Sequence, residues 1–151
     1  MDLLLWRHAQ AHDSEPDILR SLTHHGHRQA KKVALWLQQH YKEPLYIIVS
    51  PTTRTKETAN AYSDTYAVLP AVGPDADPQD ILSASGWPDG KKSCLIVGHQ
   101  PTLGQVAARL LGSRHKHLSF HKGCLWWFRS SAETGDQHKT ELVTVISPEM
   151  L

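Results

Sequence analysis

Three short apolar runs constrain the fold of this chain more than any other feature. They span residues 2–6, 45–49 and 94–98, and in each the apolar residues follow one another instead of alternating with polar ones. That pattern is typical of strands covered on both faces, as in a largely parallel sheet. Two further apolar runs, 124–129 and 142–147, are also interpreted as strands.

Helical patterns lie between these runs. One apolar face follows Thr23, a plausible N-cap, and a second lies between Thr102 and Gly112. The first face consists of Ala30, Val33, Ala34, Leu37 and Tyr41, and the second of Leu103, Val106, Ala107, Leu110 and Leu111. Shorter helices are expected at about 53–62 and 78–85. Strands that alternate with helices predict an α/β fold, a three-layer α/β/α sandwich with a mostly parallel central sheet.

Length and charge narrow the class of protein. The 151 residues suit one domain that spans 1–151. Sixteen Lys and Arg nearly balance fifteen Asp and Glu, which argues against nucleic acid or an anionic membrane as partner. Residues 1–7 lack the features of a signal peptide and no apolar run could cross a bilayer, so we expect a cytoplasmic protein.

Cys94 and Cys124 lie in apolar runs and are predicted to be free, buried thiols.

Polar side chains follow each of the first three predicted strands. His8 comes after the first, Arg54 lies a few residues after the second, and His99 directly follows the third. In open α/β sheets, ligands bind at the edge formed by the carboxyl ends of the strands. We therefore expect these residues to converge there, and Arg20, in the loop after the first strand, could reach the same place.

This set of side chains suits a phosphate group better than a structural core. Buried cations repel each other and need partners, whereas guanidinium groups match phosphate oxygens in a two-point fork. Arg54 is expected in the first turn of a helix, where the free backbone N–H groups also favour an anion. A histidine such as His8 can act as a nucleophile and form a covalent intermediate.

The same residues resemble the motifs of the histidine phosphatase superfamily, also called the phosphoglycerate mutase-like family. Arg7-His8-Ala9 resembles its first motif, Arg-His-Gly, and residues 50–58 (SPTTRTKET) resemble Ser-Pro-x-x-Arg-x-x-x-Thr. Residues 97–103 (VGHQPTL) contain the late histidine of the family. Residues 17–26 (DILRSLTHHG) resemble the small SixA-type branch of phosphohistidine phosphatases, and the short chain fits that branch.

The resemblance implies a phosphoglycerate mutase-like sandwich and a role for each matching residue. His8 would be the nucleophile that becomes phosphorylated. Arg7, Arg54 and His99 would hold the phosphoryl oxygens as catalytic residues, and Arg20 would add a further phosphate contact. We expect no metal and no other cofactor, since the arginines supply the positive charge. Ala9 stands where the family has glycine, and we expect its methyl group to be tolerated.

The implied activity is that of a hydrolase, a phosphatase that acts through a phosphohistidine intermediate. The expected substrate is phosphohistidine in a signalling or phosphotransfer protein, so that the partner would be a phosphorylated protein of the histidine-phosphotransfer type. Two alternatives remain open at this point. One is a phosphatase of the same superfamily that hydrolyses a small phosphorylated metabolite, and the other is a phosphate-binding module without catalysis.

The sequence offers three carboxylic acids as candidates for the proton donor to the leaving group. Members of this superfamily that hydrolyse phosphomonoesters take it from a carboxylic acid between the second and third motifs, where Asp75, Asp77 and Asp80 are the candidates. We interpret all three as surface or helix-capping residues. A phosphohistidine substrate would relax the need for an acid because its P–N bond is labile.

Two other patterns carry alternative interpretations. The histidine clusters at 24–27 and 115–117 lack partners at zinc-ligand spacing, so we interpret them as solvated surface rather than metal sites. Residues 114–129 mix basic and aromatic side chains and could form a nucleic-acid platform. We favour a loop at the rim of the pocket, 121–123, followed by a strand.

Overall fold

The fold is built on one sheet of six strands. The computed structural model describes all 151 residues. The strands are β1 (Asp2–Arg7), β2 (Leu45–Val49), β3 (Ala67–Val68), β4 (Ser93–Gly98), β5 (Leu125–Ala132) and β6 (His138–Ile146). The α-helices are α1 (His24–His40), α2 (Thr53–Asn60), α3 (Pro78–Ser85) and α4 (Thr102–Leu110). Single 3-10 turns lie at Asp17–Leu19, Pro70–Val72 and Pro148–Met150.

Four of the strands run parallel and two do not. The order across the sheet is β3-β2-β4-β1-β5-β6. The first four pair in parallel, whereas β5 is antiparallel to β1 and β6 is antiparallel to β5. The prediction of an α/β fold with a mostly parallel sheet is therefore confirmed. β4 lies between β1 and β2, so that the carboxyl ends of the three apolar runs are direct neighbours.

Each face of the sheet is covered by a separate apolar cluster. Leu4 and Trp6 of β1 point to the face where Val33 and Leu37 of α1 pack. Leu3 and Leu5 of β1 point to the opposite face, where α3 and α4 supply apolar residues such as Leu103. Side chains alternate along a strand, so a strand that is apolar at every position is buried on both faces. This is the three-layer arrangement that the sequence predicts.

The ends of α1 and α4 show which residues in the sequence predicted a helix boundary correctly. Thr23 caps α1 as predicted, since its Oγ1 accepts a hydrogen bond of 3.0 Å from the N–H of Gly26. Thr102 does not precede α4 but begins it, and its hydroxyl donates to the carbonyl of Ala76 at 2.8 Å. Gly112 follows α4 with a positive φ of 63°, which fits the predicted stop.

The strands of the second half are longer than predicted. β5 extends to Ala132 and β6 begins at His138, because the outer part of this hairpin consists of polar residues that give no apolar signal. β3 was not predicted, since two residues carry too little pattern to be read as a strand. Cys94 and Cys124 are free and buried, as predicted. None of the helices combines the length and the apolar character needed to cross a bilayer.

Candidate active site

The ends of β1, β2 and β4 bring the predicted site residues together. His8 directly follows β1, Ser50 follows β2 and His99 follows β4. The rings of His8 and His99 lie with their centroids 5.4 Å apart and their planes inclined by 57°. Both are nearly buried, with 6% and 4% of their surface exposed. Residues more than 90 positions apart in the chain are thus brought side by side.

The backbone of His8 is fixed on two sides. Its N–H donates to the carbonyl of Gly98 at 3.1 Å, and its carbonyl accepts from the N–H of Gly123 at 3.1 Å. Gly123 has a positive φ of 79°, which a residue with a side chain rarely adopts. The carbonyl of Gly123 also accepts from the indole N–H of Trp6 at 2.9 Å. The strand-end histidine is therefore held by its neighbours on both sides of β1.

The ring of His8 has a defined proton position. Its Nδ1 lies 2.7 Å from the carbonyl oxygen of Ala9. Since a carbonyl oxygen only accepts, Nδ1 carries the proton, and in the neutral ring Nε2 keeps its lone pair. Burial lowers the pKa of His8 to about 3; the bond to Ala9 opposes this, and the charges of Arg54 and Arg7 add to it. The ring is neutral at physiological pH and can attack phosphorus through Nε2.

His99 is held by a residue of the second motif. Its Nε2 lies 2.7 Å from the hydroxyl oxygen of Ser50, a residue with no exposed surface. Burial lowers the pKa of His99 to about 3, and the neighbouring His8 and Arg54 contribute in the same direction. When the hydroxyl of Ser50 donates to Nε2, the proton of the neutral ring is on Nδ1. That N–H can then donate to a phosphoryl oxygen.

Arg54 and Arg7 supply buried N–H groups without an acceptor in the protein. Arg54 lies in the first turn of α2, as predicted, and is 4% exposed. The Nε atoms of both arginines are buried and make no hydrogen bond. Arg7 donates from Nη1 to the carbonyl of Phe120 at 2.6 Å, and burial lowers its pKa. Buried N–H groups of this kind are rare, and a phosphoryl oxygen is the acceptor that suits a guanidinium group.

Arg20 reaches this site through another residue. Its Nε donates to the carbonyl of His12 at 2.7 Å, and its Nη1 lies 3.3 Å from Oδ1 of Asp17. The other carboxylate oxygen of Asp17 lies 3.2 Å from Nη2 of Arg54. Asp17 was not predicted as a site residue. Its place three residues before Arg20, within the segment that resembles the SixA branch, is the signal that could have indicated it.

Two residues of the second motif connect the site to its surroundings. Thr58 Oγ1 accepts from the N–H of Ala9 at 3.1 Å and donates to the carbonyl of Arg54 at 2.7 Å. Glu57 accepts from the N–H of Leu22 at 3.0 Å. Ala9 is fully buried, and no residue other than glycine has a positive φ. The position after His8 therefore does not need the conformational freedom of glycine.

The three aspartates considered as proton donors occupy different positions. Asp77 and Asp80 form the capping box of α3, in which each side chain accepts from the backbone N–H of the other at 3.0 Å. The helix-capping interpretation is correct for these two. Asp75 is exposed and lies in a cleft of about 410 Å³ that Asp17 and Thr52 also line.

Two further polar clusters are the histidines at 24–27 and the loop at 121–123. In the 24–27 cluster, His25 and His27 lie 3.6 and 3.4 Å from Glu149 and Glu57, and no group of three or more His, Cys, Asp or Glu is arranged to hold a metal ion. His121 and Lys122 line a polar cleft of about 500 Å³ beside Arg7, which agrees with a loop at the rim of the pocket.

Comparison with known proteins agrees with this geometry. Residues 3–75 match the family model of the histidine phosphatase superfamily (branch 1). A phosphohistidine phosphatase SixA homolog of Haemophilus influenzae is 28% identical over 137 residues, which is 80% of this chain and 83% of that protein. An uncharacterized protein of Picosynechococcus sp. is 32% identical over 168 aligned positions, and the alignment covers 100% of this chain and 99% of that protein.

The same fold is found among solved structures. The protein histidine phosphatase SixA complexed with tungstate superimposes with a TM-score of 0.78, covers 99% of both chains and is 23% identical. The motifs around His8, Arg54 and His99, the sheet that brings them together and the matching family model lead to the same conclusion: the chain belongs to the histidine phosphatase superfamily.

Proposed function

We propose that this protein is a phosphohistidine phosphatase that transfers the phosphoryl group of its substrate to His8 and then to water. The observation that carries the proposal is the state of His8: a neutral, buried ring with its proton on Nδ1 and Nε2 free to attack. Around it, His99 and the unpartnered N–H groups of Arg7 and Arg54 offer donors for phosphoryl oxygens.

The reaction takes two steps. In the first, the lone pair of His8 Nε2 attacks phosphorus in line with the leaving group, the bond from phosphorus to the leaving group breaks, and the departing imidazole takes up a proton from solvent. In the second, water attacks the phosphoryl group on Nε2 and releases inorganic phosphate, and the ring returns to its neutral form. Arg7, Arg54 and His99 stabilise the oxygens in both steps, so that catalysis consists mainly of positioning and electrostatics.

The shortage of proton donors supports a phosphohistidine substrate. Asp77 and Asp80 are occupied in the capping box of α3, and Asp17 is paired with two arginines. An imidazole leaving group takes up a proton readily, whereas an alkoxide needs a strong acid beside it. The relatives named as phosphohistidine phosphatases point in the same direction. A phosphorylated histidine in a signalling or phosphotransfer protein is the substrate that we favour.

A small phosphomonoester is the second candidate, and Asp75 is the reason. This aspartate makes no side-chain hydrogen bond or ion pair, and it lies with Asp17 and Thr52 in the cleft of about 410 Å³. A leaving group bound in that cleft could take a proton from Asp75. A binding module without catalysis is less consistent with the site, because binding alone does not require a nucleophile with a defined free nitrogen.

Turnover on two kinds of substrate tests the proposal. We expect release of phosphate from a phosphorylated histidine-phosphotransfer protein at a much higher kcat/KM than from a panel of sugar and nucleotide phosphates. The Asp75→Asn variant should leave the first activity unchanged. Efficient hydrolysis of one phosphomonoester, lost in Asp75→Asn, would instead select the second candidate. Absence of phosphate release from every substrate would favour the binding module.

A further inference from the structure

A carboxylate sits beside the buried arginine of the site. Asp17 begins the 3-10 turn Asp17–Leu19, in a loop that is exposed from His12 to Leu19. Although 59% of its side chain is exposed, the carboxylate contacts two cations: Oδ2 lies 3.2 Å from Nη2 of Arg54, and Oδ1 lies 3.3 Å from Nη1 of Arg20. An anion so close to a phosphate-binding arginine would be expected to oppose substrate binding, and its presence needs an explanation.

The contacts cover only one edge of the Arg54 guanidinium. Nη1 donates to the main-chain carbonyl of Asp17 at 2.9 Å, and Nη2 contacts its carboxylate. Both bonds lie at the end of the group, whereas Nε remains buried without an acceptor. Because the guanidinium is planar and its N–H groups are fixed relative to one another, two bonds at the end determine where the Nε–H points.

Asp17 is itself held in place. Burial raises the pKa of its carboxyl group, but the hydrogen bond from Arg20 and the charge of Arg54 outweigh this and keep the pKa below its usual value, so the group is ionised at neutral pH. Arg20 in turn donates from Nε to the carbonyl of His12 at 2.7 Å. The chain of contacts therefore runs from the loop backbone through Arg20 and Asp17 to Arg54.

We infer that Asp17 is a positioning residue: it fixes the end of the Arg54 guanidinium so that the Nε–H edge faces the phosphoryl group, and Arg20 holds Asp17 in that orientation. The inference rests on the proposed function of the site. It also assigns Arg20 a role through Asp17. In-line transfer depends on geometry, and a misplaced catalytic donor lowers the rate more than the affinity.

The competing explanation makes Asp17 an internal anion that occupies the phosphate site until substrate displaces it. The two explanations predict opposite results. Removal of a competitor should tighten anion binding and leave kcat unchanged or raise it. Removal of a positioning residue should lower kcat, while anion affinity stays similar, because lost order and lost repulsion act in opposite directions.

The test compares Asp17→Asn with Asp13→Asn, which removes the same charge from an exposed position of the same loop. We would measure kcat and KM on phosphoramidate and on a phosphorylated histidine-phosphotransfer protein, and tungstate binding by calorimetry. For Asp17→Asn we expect kcat to fall about tenfold on both substrates, with tungstate affinity within about threefold of wild type. Asp13→Asn should behave as wild type.

A double variant separates positioning from loop folding. In an Arg54→Ala background, Asp17→Asn should change kcat by less than about twofold, because Asp17 acts through Arg54. An equal loss in both backgrounds, or weaker tungstate binding together with lower kcat, would show a structural role and overturn the inference. So would tungstate binding more than about tenfold tighter with kcat unchanged. Wild-type turnover of phosphoramidate without turnover of the phosphoprotein would reject the proposed substrate and leave this test intact.

Discussion

The two halves of the sheet differ in what they contribute to the molecule. The parallel half, β3-β2-β4-β1, is covered by helices on both faces, and its strand ends carry His8, Ser50 and His99. The antiparallel hairpin β5–β6 is open to solvent along much of its length, and 40% of Leu142 and 42% of Val145 are exposed. The polar side chains of the site thus lie at the ends of buried strands, where the backbone is fixed.

The loop that precedes the hairpin supplies backbone groups to the site residues. Phe120 and Gly123 supply backbone groups to Arg7 and His8. Beyond that loop, β5 pairs with β1 along its length, and a two-point ion pair joins Asp2 to Arg129, with N–O distances of 2.7 and 3.0 Å. Substitutions in the two halves should therefore separate activity from stability.

The largest effect is expected at the end of β1. His8→Ala removes the nucleophile, so phosphate release should fall by a factor of about 10⁴ or more, while the cationic pocket still binds tungstate. Calorimetry with tungstate checks the second half of this statement. Substantial turnover by the variant would show that another group attacks phosphorus.

Arg54→Lys should reduce kcat by about 10²- to 10³-fold. The charge is kept, but lysine lacks the planar fork and the Nε–H that the buried guanidinium offers. A matching change in the hairpin half, Arg129→Lys, should leave kcat unchanged and affect only stability. Steady-state kinetics with thermal unfolding of both variants checks the contrast, and equal losses of activity in the two would contradict it.

Low pH should destabilise the protein through the buried histidines. His8 has a pKa of about 3 in the folded state and 6.5 as its ordinary value. The unfolded chain therefore binds a proton that the folded chain does not, and stability falls as the pH drops below 6.5. The slope from His8 alone approaches about 1.4 kcal/mol per pH unit. Urea unfolding between pH 4 and 7 should show a smaller slope for His8→Ala than for the wild type, and an equal slope would contradict the prediction.

Two buried serines provide a smaller and closely matched comparison. Ser50→Ala removes the partner of His99 Nε2, so kcat should fall about tenfold, with a loss of about 1 kcal/mol in unfolding free energy. Ser130 lies in β5, and its hydroxyl donates to the carbonyl of Pro88 at 2.8 Å; Ser130→Ala removes this bond. It should lose similar stability with no change in kcat. If Ser50→Ala kept full activity, His99 would not depend on this bond.

The smallest effect is expected at the outer end of the hairpin. Glu141 pairs with Lys139 at 2.9 Å, and both side chains are about half exposed. Exposed ion pairs contribute little, so Glu141→Gln should leave both the midpoint of thermal unfolding and kcat close to those of the wild type. A measurable loss of activity would show that the hairpin influences the site.

The sequence was sufficient for β1, β2 and β4, the three longer strands of the parallel half. The runs at 2–6, 45–49 and 94–98 agree with β1, β2 and β4 within one residue, because burial on both faces leaves a continuous apolar signal. The outer hairpin was underestimated because exposed strand residues such as Thr140 and Glu141 look like loop residues. The edge strand β3 is too short to leave a pattern.

The convergence of the site residues could be predicted from the topology, but the hydrogen bonds within the site could not. The rule that strand ends meet at one edge was enough to place His8, Arg54 and His99 together. The proton position of His8 depends on the direction of one carbonyl, and the contact between Asp17 and Arg54 depends on how a loop folds back over α2. Neither leaves a periodic signal in the chain.

The most direct test of the account is the identity of the phosphorylated residue. Wild-type protein mixed with phosphorus-32-labelled phosphoramidate and quenched within milliseconds should carry label that is stable in alkali, lost in acid and mapped by peptide mass spectrometry to His8. His8→Ala, treated in the same way, should carry none. Label on a serine, a cysteine or His99, or rapid turnover without any labelled protein, would contradict the account.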